Sequence, residues 1–221
     1  MIKSQNAMSQ LPKTMPRYRI TATLLNSWQQ IWDCEAYVRE SENDTLSYED
    51  KLEEARQNKI KEFIDVLNRV PIPDNEYMKR GREYEDLVCS GGDGVFSPIV
   101  ENGAFQVTLV RNVDIDDLPI TLYGVLDVLK GGRIMDIKRV KTYKYPKYRE
   151  SHQHSMYLFL YENAIDFTYL ICDDKGEHHY ENYIRENCEN ILEVVSDFIS
   201  WLKANDLIEI FKQKWQMKGK K

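Results

Sequence analysis

What this chain lacks narrows its class before any motif is read. No apolar run approaches the roughly 20 residues that a bilayer-spanning helix needs, and the N-terminus has no signal-peptide core. A membrane role is therefore not expected, and a cytoplasmic location is. Cys34, Cys89, Cys172 and Cys188 are scattered, with no CxxC pair and no histidine at zinc-ligand spacing, so free buried thiols are expected. Excess positive charge is missing as well. With 30 Lys and Arg against 36 Asp and Glu the formal charge is -6, which argues against a surface coated with basic groups for nucleic acid and leaves room for a confined tract. No Pro/Gly/Ser-rich linker, repeat or low-complexity block divides the 221 residues, so one domain is expected. Its expected bounds are 19–210, after a polar mobile arm at 1–18 and before a basic tail at 211–221.

Hydrophobic periodicity supplies the elements. Thr21 or Thr23 can cap a helix with Leu24, Leu25, Trp28, Ile31 and Trp32 on one side. The charged run from Glu40 to Lys61 leads into a helix bearing Ile60, Phe63, Ile64 and Leu67, ended by Pro71 and Pro73. A helix over about 75–89, strands at 105–113, 120–129 and up to about 140, a helix near 152–162, strands at 166–172 and 178–184, and a helix over about 186–204 follow. This order predicts an α/β (α+β) domain, a mixed β-sheet flanked by helices.

The segment YGVLDVLKGGRIMDIK, 123–138, carries the chemistry. Gly131-Gly132 suits a two-residue hairpin turn because both residues can take φ > 0. That turn sets Lys130 against Arg133, Leu129 against Ile134, Val128 against Met135, and Asp127 against Asp136. Alternation puts Lys138 on the Asp136 face. Both faces of the hairpin are otherwise apolar, so two opposed carboxylates there require positive compensation. A divalent cation beside Lys138 would provide it.

Other residues could complete such a site. On the helix holding RGREYEDLV, Tyr77, Met78, Gly81, Tyr84 and Val88 form one arc with Glu85 inside it, while Glu83 and Asp86 face away. Glu85 is either a salt-bridged acid at the stripe edge or a third carboxylate of the kind that hard cations prefer. From Lys138 to Arg149 six basic residues, Lys138, Arg139, Lys141, Lys144, Lys147 and Arg149, alternate with Tyr143, Tyr145 and Tyr148 and no acid. This is either a solvated loop or a surface for phosphates and stacked bases. Gln153 and Tyr157 share a helix face. His152 and His154 lack partners at ligand spacing and are expected at the surface or in support of the site.

Taken together these pieces resemble the RecB-like branch of the PD-(D/E)XK nuclease superfamily, which includes phage-type exonucleases. The resemblance spans about Ile20 to Ala204: TATLLNSWQQIWDCEAY, G-x-x-x-E from Gly81 to Glu85, GVLD ending at Asp127, DIK from Asp136 to Lys138, and Q-x-x-x-Y from Gln153 to Tyr157. It implies a restriction-endonuclease-like core and Mg2+ or Mn2+ held by Glu85, Asp127, Asp136 and the backbone carbonyl of Ile137. Lys138 would position or activate water, with Gln153 and Tyr157 supporting it. Arg139, Lys141, Tyr143, Lys144, Tyr145, Lys147 and Arg149 become candidates for binding DNA. The implied activity is a DNA exonuclease in phage recombination or DNA repair, with a recombination or helicase partner, or a homo-oligomer, as possible company. A non-cleaving DNA-binding module and an RNA-directed nuclease are the alternatives. Many members carry His where Glu85 stands. Those with an iron-sulfur cluster have three cysteines after the core; here no cysteine follows Cys188, so no cluster is expected.

Overall fold

The computed structural model of the chain describes residues 16–38 and 46–217. Most of the expected arm, the start of the charged run and the end of the expected tail lie outside the described residues. Strand β1 (Tyr18–Ile20) is followed by helix α1 (Ala22–Gln29), whose cap is Thr21: the hydroxyl accepts the Leu24 N–H at 3.2 Å. Ser47 caps α2 (Tyr48–Leu67) and Asn75 caps α3 (Glu76–Cys89) in the same way, and a one-turn helix α4 (Ser97–Val100) precedes the sheet. Then come β2 (Ala104–Ile115), β3 (Leu118–Lys130), β4 (Arg133–Arg139), α5 (His152–Leu160), β5 (Asp166–Cys172), β6 (His178–Tyr183), α6 (Ile191–Ala204) and α7 (Ile208–Trp215).

The six strands make one mixed sheet, in the order β1-β3-β4-β5-β6 with β2 also paired to β3. As expected, the fold is α+β with helices on both faces. Ile20, Leu24, Phe63, Met156, Phe198 and Phe211 belong to the larger core, whereas Tyr84, Val88, Phe96 and Val100 pack on Val128, Met135 and Ile137 from the other side. One topological detail prepares the site. Strand β2 covers β3 along one edge from Leu118 to Leu129. The opposite edge is shared: β1 pairs in parallel with 120–122, and β4 pairs antiparallel with 128–130. Residues 123–127 face the opening between them.

Residues on either side of 19–210 also contact the sheet and its helices. Tyr18 pairs with Ile120, and Arg17 Nη2 donates to the carbonyls of Val113 and Ile120 at 2.8 and 2.9 Å. Phe211 and Trp215, placed in the tail by their lysine-rich surroundings, are buried on α7, and Trp215 Nε1 donates to the Leu67 carbonyl at 2.9 Å. Four residues apart, they form an apolar stripe that the lysines between them mask.

Candidate active site

Gly131 and Gly132 take φ of +57° and +81°, as the turn requires, and the three hairpin pairs nearest it have the expected register. The next step departs from expectation. The ladder ends at Val128–Met135, so Asp127 and Asp136 are not a paired position. Instead, Asp127 Oδ2 accepts the backbone N–H of Ile137 at 2.9 Å. A carboxylate thus takes the place of a backbone acceptor where the two strands part.

Asp136 and Lys138 project together from β4. Asp136 is 1% exposed, and each of its oxygens has a neighbour at 2.5 Å: Gln153 Nε2 donates to Oδ1, and the Lys138 ammonium lies against Oδ2. The second contact is a close, buried ion pair, so both oxygens of the carboxylate are engaged. Glu85, half-buried on α3, accepts from Gln106 Nε2 at 2.5 Å through Oε1, while Glu83 and Asp86 face solvent. The arc on α3 is narrower than expected: Tyr84 and Val88 are buried, but Tyr77 and Met78 are exposed.

The three acids press on one another. Burial first, then the charges of Asp136 and Glu85, push Asp127 up to about 8 against the pull of Lys138 and the Ile137 N–H. Burial, Asp136 and Asp86 raise Glu85 as well. Burial alone would lower Lys138, but Asp136 and Asp127 outweigh it and hold the ammonium charged. Glu85, Asp127 and Asp136 do not bring three ligand atoms within 4.8 Å of one another, and Lys138 is drawn against Asp136. The donor set nevertheless suits a hard divalent cation: the carboxylate oxygens of Glu85, Asp127 and Asp136, whose charges act on one another.

Helix α5 brings Gln153 to Asp136. Ser151 caps it by accepting the Gln153 N–H, and Asn26 of α1 fixes the same end, its Oδ1 accepting the His152 N–H at 2.8 Å. Tyr157 lies one turn further along, buried against Gly124 of β3. Beside them Tyr148 stacks on Tyr169 at 4.3 Å, and burial with nearby Asp136, opposed by Lys138, pushes its hydroxyl up to about 12. A cleft of about 460 Å³, lined by Thr23, Asn26, Lys138, Tyr148, Gln153 and Tyr157 among others, opens between α1 and these groups.

The basic tract splits in two. Lys141, Lys144, Lys147 and Arg149 are exposed, and Tyr145 is 69% exposed. Arg139 and Tyr143 instead face protein: Arg139 reaches Cys172 Sγ at 2.7 Å and Asp174 at 3.5 Å, and Tyr143 stacks on His179 at 4.3 Å. Both have partners that chain order does not reveal. The loop is anchored by buried Glu181, which accepts the N–H groups of Lys147 and Tyr148 at 2.6 and 3.0 Å and the Tyr183 hydroxyl at 2.7 Å. His152 and His154 are buried rather than superficial, the first against Glu189 and the second stacked on Tyr183. Sequence reading missed Gln106 and Glu181, whose only sequence signal is a polar residue in a strand.

A separate group, Asp173, Glu177 and His179 at the β5–β6 turn, has ligand atoms within 4.8 Å of one another and could hold a metal ion. Asp173 Oδ1 there already accepts the N–H groups of Lys175 and Glu177, closing the turn.

No family model matches the chain, and no curated protein matches it by sequence. Solved structures do. That of SSO0001 matches with a TM-score of 0.50 at 13% identity, over 86% of this chain and 79% of that one. A second, "Putative exonuclease" from Eubacterium rectale, has a TM-score of 0.44 at 8% identity, over 89% of this chain and 82% of that one. Likeness to SSO0001 at this identity shows a shared fold.

Proposed function

We propose that the chain is a divalent-metal-dependent DNA nuclease, an exonuclease by its family resemblance, working in phage recombination or DNA repair. The observation that carries this reading is the buried Asp136, held by Gln153 and paired with Lys138, at the strand fork where Asp127 and Glu85 interact with it.

Glu85, Asp127, Asp136 and the Ile137 carbonyl would hold Mg2+ or Mn2+. When bound, such an ion lowers the pKa of a water and offsets charge on the phosphoryl and leaving oxygens. Lys138 keeps a positive charge on the same face, where its ammonium can orient the attacking water and stabilise charge building on the phosphate. Gln153 fixes the Asp136 carboxylate by one oxygen, while Lys138 lies against the other. Tyr148 and Tyr157 wall the cleft at the lysine, and the exposed Lys141, Lys144, Lys147 and Arg149 contact phosphates, with Tyr145 free to stack on a base.

The test is cleavage of end-labelled duplex and single-stranded DNA, with RNA alongside, in Mg2+ or Mn2+. Asp127→Ala, Asp136→Ala and Lys138→Ala should each abolish it while far-UV circular dichroism stays unchanged. Wild-type rates in any of the three would overturn the assignment. DNA binding in EDTA combined with inertness in Mn2+ would point to a non-cleaving module.

A further inference from the structure

We infer that Gln106 is a positioning residue of the proposed metal site, holding the Glu85 carboxylate in place from a strained point in β2; this inference rests on the nuclease reading above. The backbone is the first observation. Gln106 has φ of +53° inside a strand, while the other non-glycine residues with positive φ among the described residues, Arg69, Asn102, Asp116, Asp117 and Asp206, sit at turns or helix ends. Glutamine lacks the short side chain that lets Asn and Asp compensate locally for this conformation. Its side chain is exposed, so burial does not hold it there.

The register is the second observation. Phe105 pairs with Val128 and Val107 with Leu126, but Gln106 and Asp127 between them are not a paired position. The β2–β3 ladder is thus interrupted opposite a proposed ligand, and the β3–β4 ladder ends beside the same residue. The third is the contact itself: Gln106 Nε2 donates to Glu85 Oε1 at 2.5 Å, joining β2 to α3. Strain of this kind persists where the surroundings over-determine it, and it concentrates at functional sites. Here the irregular backbone delivers an amide to one oxygen of Glu85 and leaves the other oxygen for an ion.

Hydrogen-bond partners of metal ligands orient them, and losing one weakens metal affinity by roughly 10–100-fold. The experiment is calorimetric titration of the metal-free full-length protein with Mn2+, with thermal unfolding of each variant in EDTA. Gln106→Gly should raise the Mn2+ Kd by about 10-fold or more. Its Tm should equal or exceed the wild-type value, because glycine adopts φ of +53° without strain. Gln106→Ala should weaken binding similarly with a lower Tm. In cleavage, the Mn2+ concentration for half-maximal rate should rise in both, with kcat at saturating Mn2+ largely retained.

A wild-type Kd in Gln106→Gly overturns the inference, and so does a weaker Kd accompanied by a fallen Tm in that variant, which would make Gln106 structural. Asp136→Asn separates the two levels. If it abolishes Mn2+ binding while Gln106→Gly does not weaken it, this inference alone fails. If wild-type protein takes up no Mn2+, or Asp136→Asn takes it up normally, the nuclease reading fails and this one with it.

Discussion

Gly124 on β3 lies against the ring of Tyr157 on α5: a Cβ at position 124 would stand 2.5 Å from Tyr157 Cε1 and 3.0 Å from Cδ1, with Leu160 Cδ1 at 3.2 Å. The helix that carries Gln153 is therefore seated on the one residue type without a side chain. Gly124→Ala must displace the ring or the helix, and overpacking of this sort costs about 1–3 kcal/mol. For a chain of this size that is a fall in Tm of roughly 2–4 °C per kcal/mol. Cleavage should fall further than stability, because a shift of α5 also moves Gln153 from Asp136. Thermal unfolding and cleavage rates on the same preparation check this; a wild-type Tm would mean the helix is not seated on the glycine.

Asp127→Asn separates stability from function. The folded protein holds Asp127 at about 8, far above its ordinary value. Between about pH 4 and pH 8 the folded state thus binds more protons than the unfolded chain, and metal-free stability falls as pH rises through that window. Asparagine removes the charge and keeps an oxygen for the Ile137 N–H. In EDTA at pH 8 the variant should be more stable than wild type by on the order of 1–3 kcal/mol, an advantage that vanishes near pH 4. Cleavage should be lost throughout. Denaturant melts at the two pH values decide it, and equal stability at pH 8 would mean that Asp127 is not under strain from its neighbours.

Much of this geometry is legible in the residues because it follows from period and turn chemistry. Two glycines between alternating apolar runs dictate a hairpin, and helical phase separates Glu85 from Glu83 and Asp86. The remainder depends on long-range partners. Nothing in the alternation of β2 marks Gln106 as the residue that leaves the ladder, since a φ value is not written in a side chain. Glu181 sits in HHYENY, where an acid reads as solvent-facing, yet it is 1% exposed because the 141–150 loop folds back over it. Arg139 and Tyr143 look identical in kind to their exposed neighbours, and only the approach of Cys172, Asp174 and His179 from the end of β5 and from β6 turns them inward.

His154 should make the fold acid-sensitive. Burial first, aided by His152 and opposed by Glu189 and Glu181, lowers it to about 4. The unfolded chain takes up a proton near pH 6.5, so below that value it binds more protons than the folded state and stability falls with pH. The contribution is fully present above pH 6.5 and gone below about pH 4, a loss of about 3 kcal/mol. His154→Phe keeps a ring against Tyr183 and removes the titration, so its stability should be flatter over that window. Urea melts from pH 4 to 7 on both proteins measure this, and parallel curves would sink it.

Glu181 is the hinge pin of the proposed DNA-binding loop. Its buried carboxylate accepts two successive backbone N–H groups, from Lys147 and Tyr148, and a tyrosine hydroxyl, from Tyr183. Glu181→Ala leaves those donors without an acceptor, at about 1–3 kcal/mol for each that water cannot reach. Glu181→Gln is the gentler probe: it keeps one oxygen but turns an NH2 toward groups that are themselves donors. Amide exchange at Lys147 and Tyr148 should quicken in Glu181→Gln, and DNA affinity in EDTA should drop as the lysines lose a common frame. Tyr148 borders the cleft beside Lys138, so cleavage at saturating DNA should slow as well. Unchanged exchange at these two amides would show that the loop is held by something other than Glu181.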